Sequence, residues 1–81
     1  MNKEDPFYYE VMEEELFMQE TGNYRTYGIR VRDPKEGKCT EISDISTNRE
    51  SVIRFAEKLN RLQLDSLHLP DAVEDFLAGD I

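Results

Sequence analysis

The segment YRTYGIRVRD, from Tyr24 to Asp33, constrains the fold of this chain more than any other part of the sequence. Three apolar residues recur at every second position along it and alternate with polar or small residues: Tyr27, Ile29 and Val31. This period is typical of a β-strand with one buried face. The segment therefore predicts a sheet with a covered side.

A second strand follows after a short turn. The turn sequence PKEG contains a proline and a glycine, and the extended pattern KCTEI resumes beyond it. Placing Asp33 opposite Lys38 also places Ile29 opposite Ile42, which keeps the apolar side chains on one face. We therefore expect an antiparallel hairpin with this register.

The earlier segment PFYYEVMEEELFM is less regular. Its apolar residues fall into two sets of opposite parity, which are Phe7, Tyr9 and Val11 in the first and Met12, Leu16 and Met18 in the second. A β-bulge between Met12 and Glu15 would bring both sets to one face. A tight turn across ETGN would then place Glu13 beside Arg30, where unlike charges attract. We expect a first strand with these two features.

The stretch ISDIS, from Ile42 to Ser46, leads into a helical pattern. Thr47 and Glu50 have the spacing of a capping box, which predicts a helix from Asn48 to Leu62. The helix does not explain the other polar side chains of the stretch, which are Ser43, Asp44 and Ser46. Binding of an anion or a metal ion at the helix entrance is an alternative that the residues leave open.

A second, shorter helix is predicted in LPDAVEDFLAGD. Its apolar face consists of Leu69, Ala72, Val73, Phe76 and Leu77. Pro70 suits the first turn, and Gly79 suits the end. The chain is thus expected to be one α+β domain, a three-stranded antiparallel meander followed by two helices on one face (βββαα). Residues 1–6 are expected to be frayed, 7–45 to form the sheet and 47–78 the helices.

The charge of the chain limits its partners. The 81 residues carry a net charge of −8, and both ends are more acidic than the middle. Four basic residues of the predicted hairpin could line one face, Arg25, Arg30, Arg32 and Lys38, but phosphate attraction requires a net basic field. Direct nucleic-acid binding is therefore not expected. An acidic surface without a long apolar run also argues against membrane binding.

The residues that could support catalysis are too few to form a familiar set. His68 is the only histidine, and Cys39 is the only cysteine. Neither has an obvious partner for nucleophilic or metal chemistry. Of the run Glu13 to Glu15, alternate residues point to opposite faces of a strand. We therefore expect no enzyme activity and no catalytic, cofactor-binding or metal-binding residues. The unpaired cysteine and the lack of a recognisable secretory signal predict a cytoplasmic location.

Protein recognition remains as the expected function. A small sheet has exposed edges, and the FYY triplet supplies aromatic side chains that interfaces favour, although it could equally be core. We expect a non-enzymatic protein-interaction or regulatory module. Its partner would be either another protein with a basic surface or a second copy of the chain in a homodimer. The candidate partner-binding residues are Tyr8, Glu13, Glu14, Glu15, Asp71, Glu74 and Asp75.

Four segments give the sequence a family resemblance. TYGI, ISDIS, NRLQLDSLHL and VEDFL, distributed between residues 7 and 77, resemble a family of small uncharacterised cytoplasmic proteins of clostridia and their relatives, a domain-of-unknown-function family. The resemblance supports the order of elements and implies no functional residues.

A second resemblance concerns architecture and charge alone. A meander followed by helices in a very acidic chain is similar to some phage-encoded anti-CRISPR inhibitors, which place carboxylates in the basic DNA groove of a nuclease. The similarity implies an alternative function, an acidic nucleic-acid mimic that inhibits a nucleic-acid enzyme. The carboxylates would be those of Glu13–Glu15, Asp71, Glu74, Asp75 and Asp80.

Overall fold

The computed structural model describes residues 6–79. Residues 1–5 of the predicted frayed segment 1–6 lie outside this range, as does the candidate mimic residue Asp80. The elements follow one another as β1 (Tyr8–Met18), β2 (Gly22–Arg32), β3 (Cys39–Ser46), α1 (Arg49–Leu62), a single 3₁₀ turn (Ser66–His68) and α2 (Leu69–Leu77). The α+β class and the βββαα order are therefore confirmed. None of the helices in residues 6–79 is both long and apolar enough to span a membrane.

The sheet is an antiparallel meander with β2 in the centre and β1 and β3 at the edges. The predicted register of β2 and β3 is confirmed, because Ile29 lies opposite Ile42 and the Asp33 amide donates to the Lys38 carbonyl at 2.8 Å. The alternating pattern and the short turn are sufficient to set this register.

The expected features of β1 are wrong. Its pairing with β2 is unbroken from Tyr8 to Met18, without a bulge at residues 12–15. Glu13 lies opposite Tyr27, and the residue opposite Arg30 is Glu10. The prediction assumed that all apolar residues of β1 face one core, whereas the strand places them on both faces.

The irregular strand is β3. Between its pairs Ile29–Ile42 and Tyr27–Ser46, β3 advances four residues while β2 advances two. Asp44 within this bulge has a left-handed backbone, with φ of 57°. Gly28 faces the bulge, and a Cβ there would lie 2.3 Å from the Ile42 carbonyl oxygen. The bulge therefore requires a residue without a side chain at position 28.

One face of the sheet packs on the helices. The core consists of Tyr9, Tyr27, Ile29, Val31 and Ile45 from the sheet, with Val52, Phe55, Ala56, Leu59, Leu69 and Val73 from the helical half. Phe55 and Phe76 stack at 4.5 Å between ring centroids and join the two helices. Burial of this one layer of apolar side chains is the main source of stability.

The helix ends differ in detail from expectation. The N-cap of α1 is Asn48, whose side chain accepts from the Ser51 amide, so the predicted capping box of Thr47 and Glu50 is wrong. In α2 the proline occupies the first turn as predicted, and Gly79 follows the helix with φ of 83°. Leu77 is 61% exposed and does not belong to the apolar face.

Candidate interaction surface

The face of the sheet opposite the helices, called the outer face below, is formed by the even-numbered residues of β1 and β2. It carries apolar side chains that no helix covers, namely Tyr8, Met12, Leu16, Met18 and Tyr24. Tyr8 is 60% exposed and Met18 is 45% exposed. Leu16 lies directly opposite Tyr24, so the apolar side chains of the two strands are neighbours.

A polar network lies beside this apolar group, at the bulge of β3. One carboxylate oxygen of Asp44 accepts from the fully buried Thr26 hydroxyl at 2.8 Å, and the other accepts from the Tyr24 hydroxyl at 3.2 Å. The Ser46 carbonyl oxygen lies 3.1 Å from the same Thr26 hydroxyl and is its second acceptor. Loss of hydration raises the pKa of the Tyr24 hydroxyl, and the charge of Asp44 and its hydrogen bond raise it further. Asp44 thus shapes the bulge, and its carboxylate is already occupied.

Acids of β1 are largely paired with neighbours on the sheet. Glu13 forms an ion pair with Arg25 at 3.2 Å. Glu10 accepts from Arg30 at 3.1 Å, and this hydrogen bond is the main cause of the raised pKa of that guanidinium. Glu14 accepts from the Ser43 hydroxyl at 2.6 Å. These contacts are exposed, so each adds little to stability, but they leave a sheet surface of alternating charge.

The predicted partner-binding residues do not form one surface. Tyr8 and Glu14 lie on the outer face, whereas Glu13 and Glu15 lie on the opposite side of the hairpin, which extends beyond the core. The remaining three are exposed on α2 and make no ion pair within residues 6–79: Asp71, Glu74 and Asp75.

The free edge of β1 is partly closed by side chains of the first helix. The Asn60 amide accepts from the Tyr9 N–H at 2.6 Å and donates to the Tyr9 carbonyl at 3.0 Å. Gln63 makes the same pair of contacts with Phe7, at 3.0 and 2.9 Å. Each amide therefore takes the place that a neighbouring strand would occupy.

The side-chain amides of Asn60 and Gln63 close the edge of β1 only as far as Tyr9. Backbone groups of alternate residues point away from β2, and beyond Tyr9 these residues are Val11, Glu13, Glu15 and Phe17. No residue in 6–79 pairs with the backbone of β1 on this side after Tyr9. Phe17, near the tip of the hairpin, is 71% exposed. The edge is thus open along its second part.

A groove of about 510 Å³ lies where the closed and open parts of this edge meet α1. Its walls are β1 on one side and α1 on the other, and its lining includes Val11, Ile53, Ala56, Glu57 and Asn60. Its lining mixes apolar side chains with acidic and amide ones. Such a cleft between a strand edge and a helix can accommodate an extended peptide.

A second groove of about 440 Å³ lies between the two helices. Phe55 and Phe76 line it together with the basic side chains of Arg54, Lys58 and Arg61. Glu50 pairs with Arg54 at 3.8 Å, whereas Lys58 and Arg61 form no ion pair with any described residue. This groove is the most basic feature of the helical half.

The residues considered for chemistry are separated. His68 is exposed at the start of α2 and makes no capping hydrogen bond through its side chain, and Cys39 is an exposed free thiol at the start of β3. Within residues 6–79, no three His, Cys, Asp or Glu side chains come close enough to share a metal ion. The described residues therefore offer Asp44 no neighbouring group of His, Cys, Asp or Glu with which to bind a metal ion at the helix entrance.

Two features of this surface were missed by sequence reasoning. The sequence pattern places Asn60 in the first helix and Gln63 just after it and indicates nothing more, because an amide that pairs with a distant strand leaves no local pattern. The bulge of β3 did leave a signal, since a glycine at the centre of a strand pattern often marks a bulge in the facing strand. Gly28 is that glycine.

Comparison with known proteins places the chain in a family. A family model described as "Family of unknown function (DUF6514)" covers residues 1–79 of the chain. No curated protein and no solved structure shows significant similarity.

Proposed function

We propose that the chain, which belongs to the family of unknown function DUF6514, is a non-enzymatic protein-interaction or regulatory module. The observation that carries the proposal is the uncovered outer face. A chain that must bury a core with few apolar residues nevertheless leaves Leu16, Met18 and Tyr24 together on a face without a helix. Clustered apolar side chains outside a core are typical of binding surfaces.

The shape of the hairpin supports the same function. β1 and β2 extend past the core, and Phe17 and Met18 at their end are exposed. The molecule is correspondingly elongated, with extents of 55 by 26 by 18 Å. An extended hairpin presents two faces and an edge to a partner, which is a large contact area for a chain of this size.

The experiment is affinity capture with variants that separate apolar from charged contacts. The wild-type chain, a Leu16→Ser variant and a variant with Glu13, Glu14 and Glu15 replaced by lysine are immobilised and exposed to a native lysate at low and moderate salt. A partner that the Leu16→Ser variant loses supports the proposed outer-face contact. Absence of any stoichiometric partner, together with a monomeric chain in sedimentation, would refute the module.

An acidic mimic of nucleic acid is the second candidate function. The observation that favours it is the row of exposed acids on α2, Asp71, Glu74 and Asp75, which form no ion pair within residues 6–79. The paired acids of β1 fit the role less well. Capture of a nucleic-acid enzyme that weakens with salt and is lost when the three α2 acids become lysine supports the mimic. Retention by that variant opposes it.

The proposal includes a location and an assembly state. A lone exposed thiol such as Cys39 is stable in a reducing compartment, which is the basis for proposing the cytoplasm. A homodimer through the outer face or the β1 edge would also cover the exposed side chains, with a second copy of the chain in place of a different protein. Sedimentation over a range of concentrations distinguishes it from a monomer that binds a different protein.

A further inference from the structure

We infer that the open part of the β1 edge, together with the groove beside α1, binds an extended basic segment of a partner protein as a fourth strand. The inference rests on the proposed interaction function and specifies its site and ligand. The binding segment of the chain is Val11 to Phe17, and the wall of the groove is α1.

The hydrogen-bonding capacity of the edge gives the first argument. Asn60 and Gln63 show that the outward backbone groups of β1 accept a partner, because both amides already pair with them in the manner of a strand. The backbone groups of Val11, Glu13 and Glu15 point the same way and have no such partner in residues 6–79. A strand added there continues the ladder from the point where the amides stop.

The helix gives the second argument. Val11, Ile53 and Ala56 form an apolar strip within the 510 Å³ groove beside this edge. Alternate side chains of an added strand would lie on the same face as this strip, since side chains of neighbouring strands share faces. The structure therefore favours a small or β-branched apolar side chain at the position of the segment beside Val11, where the open edge meets the groove.

The charges along the edge give the third argument. Two pairs of acids flank an added strand, Glu13 and Glu15 on the face that carries Val11 and the groove, and Glu10 and Glu14 on the outer face. Glu13 contacts Arg25, but both side chains are more than half exposed, so this pair can exchange for another cation at little cost. Lysine or arginine in the partner would satisfy these acids.

A second copy of the chain is a poorer occupant of the edge. Full overlap of two antiparallel β1 edges over residues 11–17 would set the glutamates Glu13–Glu15 of one copy against those of the other. Like charges directly opposite in a sheet are destabilising. The same run that favours a basic segment therefore opposes self-pairing.

The test uses a synthetic peptide that alternates lysine and valine, titrated into the isotopically labelled full chain and observed by amide resonances and hydrogen exchange. We expect slowed exchange at Val11, Glu13 and Glu15 and binding that weakens with salt. Two control peptides accompany it, one with glutamate for lysine and one with alternate backbone nitrogens methylated. Neither should bind, the second because it lacks the donors of an added strand.

Two protein variants separate the backbone contribution from the charge. Glu15→Gln removes the charge and keeps the N–H, whereas Glu15→Pro removes both, at a position where the N–H points away from β2. We expect Glu15→Pro to bind about tenfold more weakly than Glu15→Gln, the loss of one backbone hydrogen bond. Chemical-shift dispersion and thermal unfolding verify that both fold, and Glu13→Pro replaces Glu15→Pro if it does not.

Three results would overturn the inference. The first is that the methylated peptide binds as tightly as the unmethylated one. The second is that the peptide shifts amide resonances of the outer face alone, and the third is that a concentration-dependent dimer slows amide exchange at the edge without peptide. The proposed function survives the second result if Leu16→Ser still loses a captured partner, so the failure of the strand site and the failure of the module are distinguishable.

Discussion

Replacement of Asn60 by alanine tests how the edge of β1 is held to the first helix. The side chain makes two hydrogen bonds to the backbone of Tyr9, whose own side chain is only 2% exposed. Two such bonds contribute about 2 kcal/mol, and alanine recovers about 0.5 kcal/mol through its higher helix propensity. We expect a net loss of about 1.5 kcal/mol, and about 3 kcal/mol if water cannot reach the freed backbone groups.

The assay is urea unfolding at neutral pH, supported by thermal unfolding, where the smaller loss corresponds to a decrease in Tm of about 6–12 °C for a domain of this size. Gln63→Ala is the control, because it deletes the same pair of contacts to Phe7 in an exposed setting, together with an exposed hydrogen bond to the Asn60 carbonyl. Its loss should remain below about 1 kcal/mol, since water replaces the amide. Equal losses for the two variants, or an Asn60→Ala loss within about 0.5 kcal/mol of zero, would refute the reasoning.

Four further predictions concern the bulge, a buried tyrosine and the hairpin tip. Gly28→Ala should destabilise the fold by about 1–3 kcal/mol in urea unfolding, because its Cβ would meet the backbone of β3 at 2.3 Å; an unchanged midpoint would contradict the close approach. Asp44→Ala should lose more stability than Asp44→Asn, because asparagine both tolerates φ of 57° and accepts from Thr26; equal losses would show that neither property matters. Burial, with a smaller effect of a nearby carboxylate, raises the pKa of Tyr9 to about 12. The neutral phenol of Tyr9 therefore stabilises the fold fully below its unfolded pKa of about 10, and this contribution is lost as the pH rises from about 10 to 12. Over that range the free energy of unfolding of the Tyr9→Phe variant should fall less than that of the wild type, as measured by unfolding at each pH. Phe17→Ser should change the free energy of unfolding by less than about 0.5 kcal/mol, since the ring is 71% exposed, and a larger loss would place the ring in the core.

The sequence determines the centre of the sheet better than its edges. The β2–β3 register follows from alternation in β2 and from a short turn, both of which are local signals. β1 has two apolar parities, and its prediction depended on the assumption that both serve one core. The structure uses Tyr9 for the core and Leu16 for the outer face. Local patterning cannot distinguish a bulged strand from a strand with two apolar faces.

The candidate surface was harder to predict for a different reason. The predicted partner-binding residues Tyr8 and Glu14 lie on the outer face. The contacts that organise the edge come instead from Asn60 and Gln63, each more than fifty positions along the chain from the residue that it contacts. Pairing of an amide with a strand edge depends on the angle at which the helix crosses the sheet, which follows from packing of the whole core. The bulge was within reach, since Gly28 signalled it.

The two parts of the β1 edge represent two solutions to the same physical problem. An unpaired strand edge attracts other strands without selectivity, because every backbone offers the same donors and acceptors. Over Phe7 and Tyr9 the chain removes this risk by supplying its own amides. Over Glu13 to Glu15 it leaves the backbone accessible and adds carboxylates, which repel a second copy and any acidic strand. In the proposed strand site, the side chains of a partner, rather than its backbone, would decide whether it binds, and the edge would accept a basic strand but refuse a copy of the chain itself.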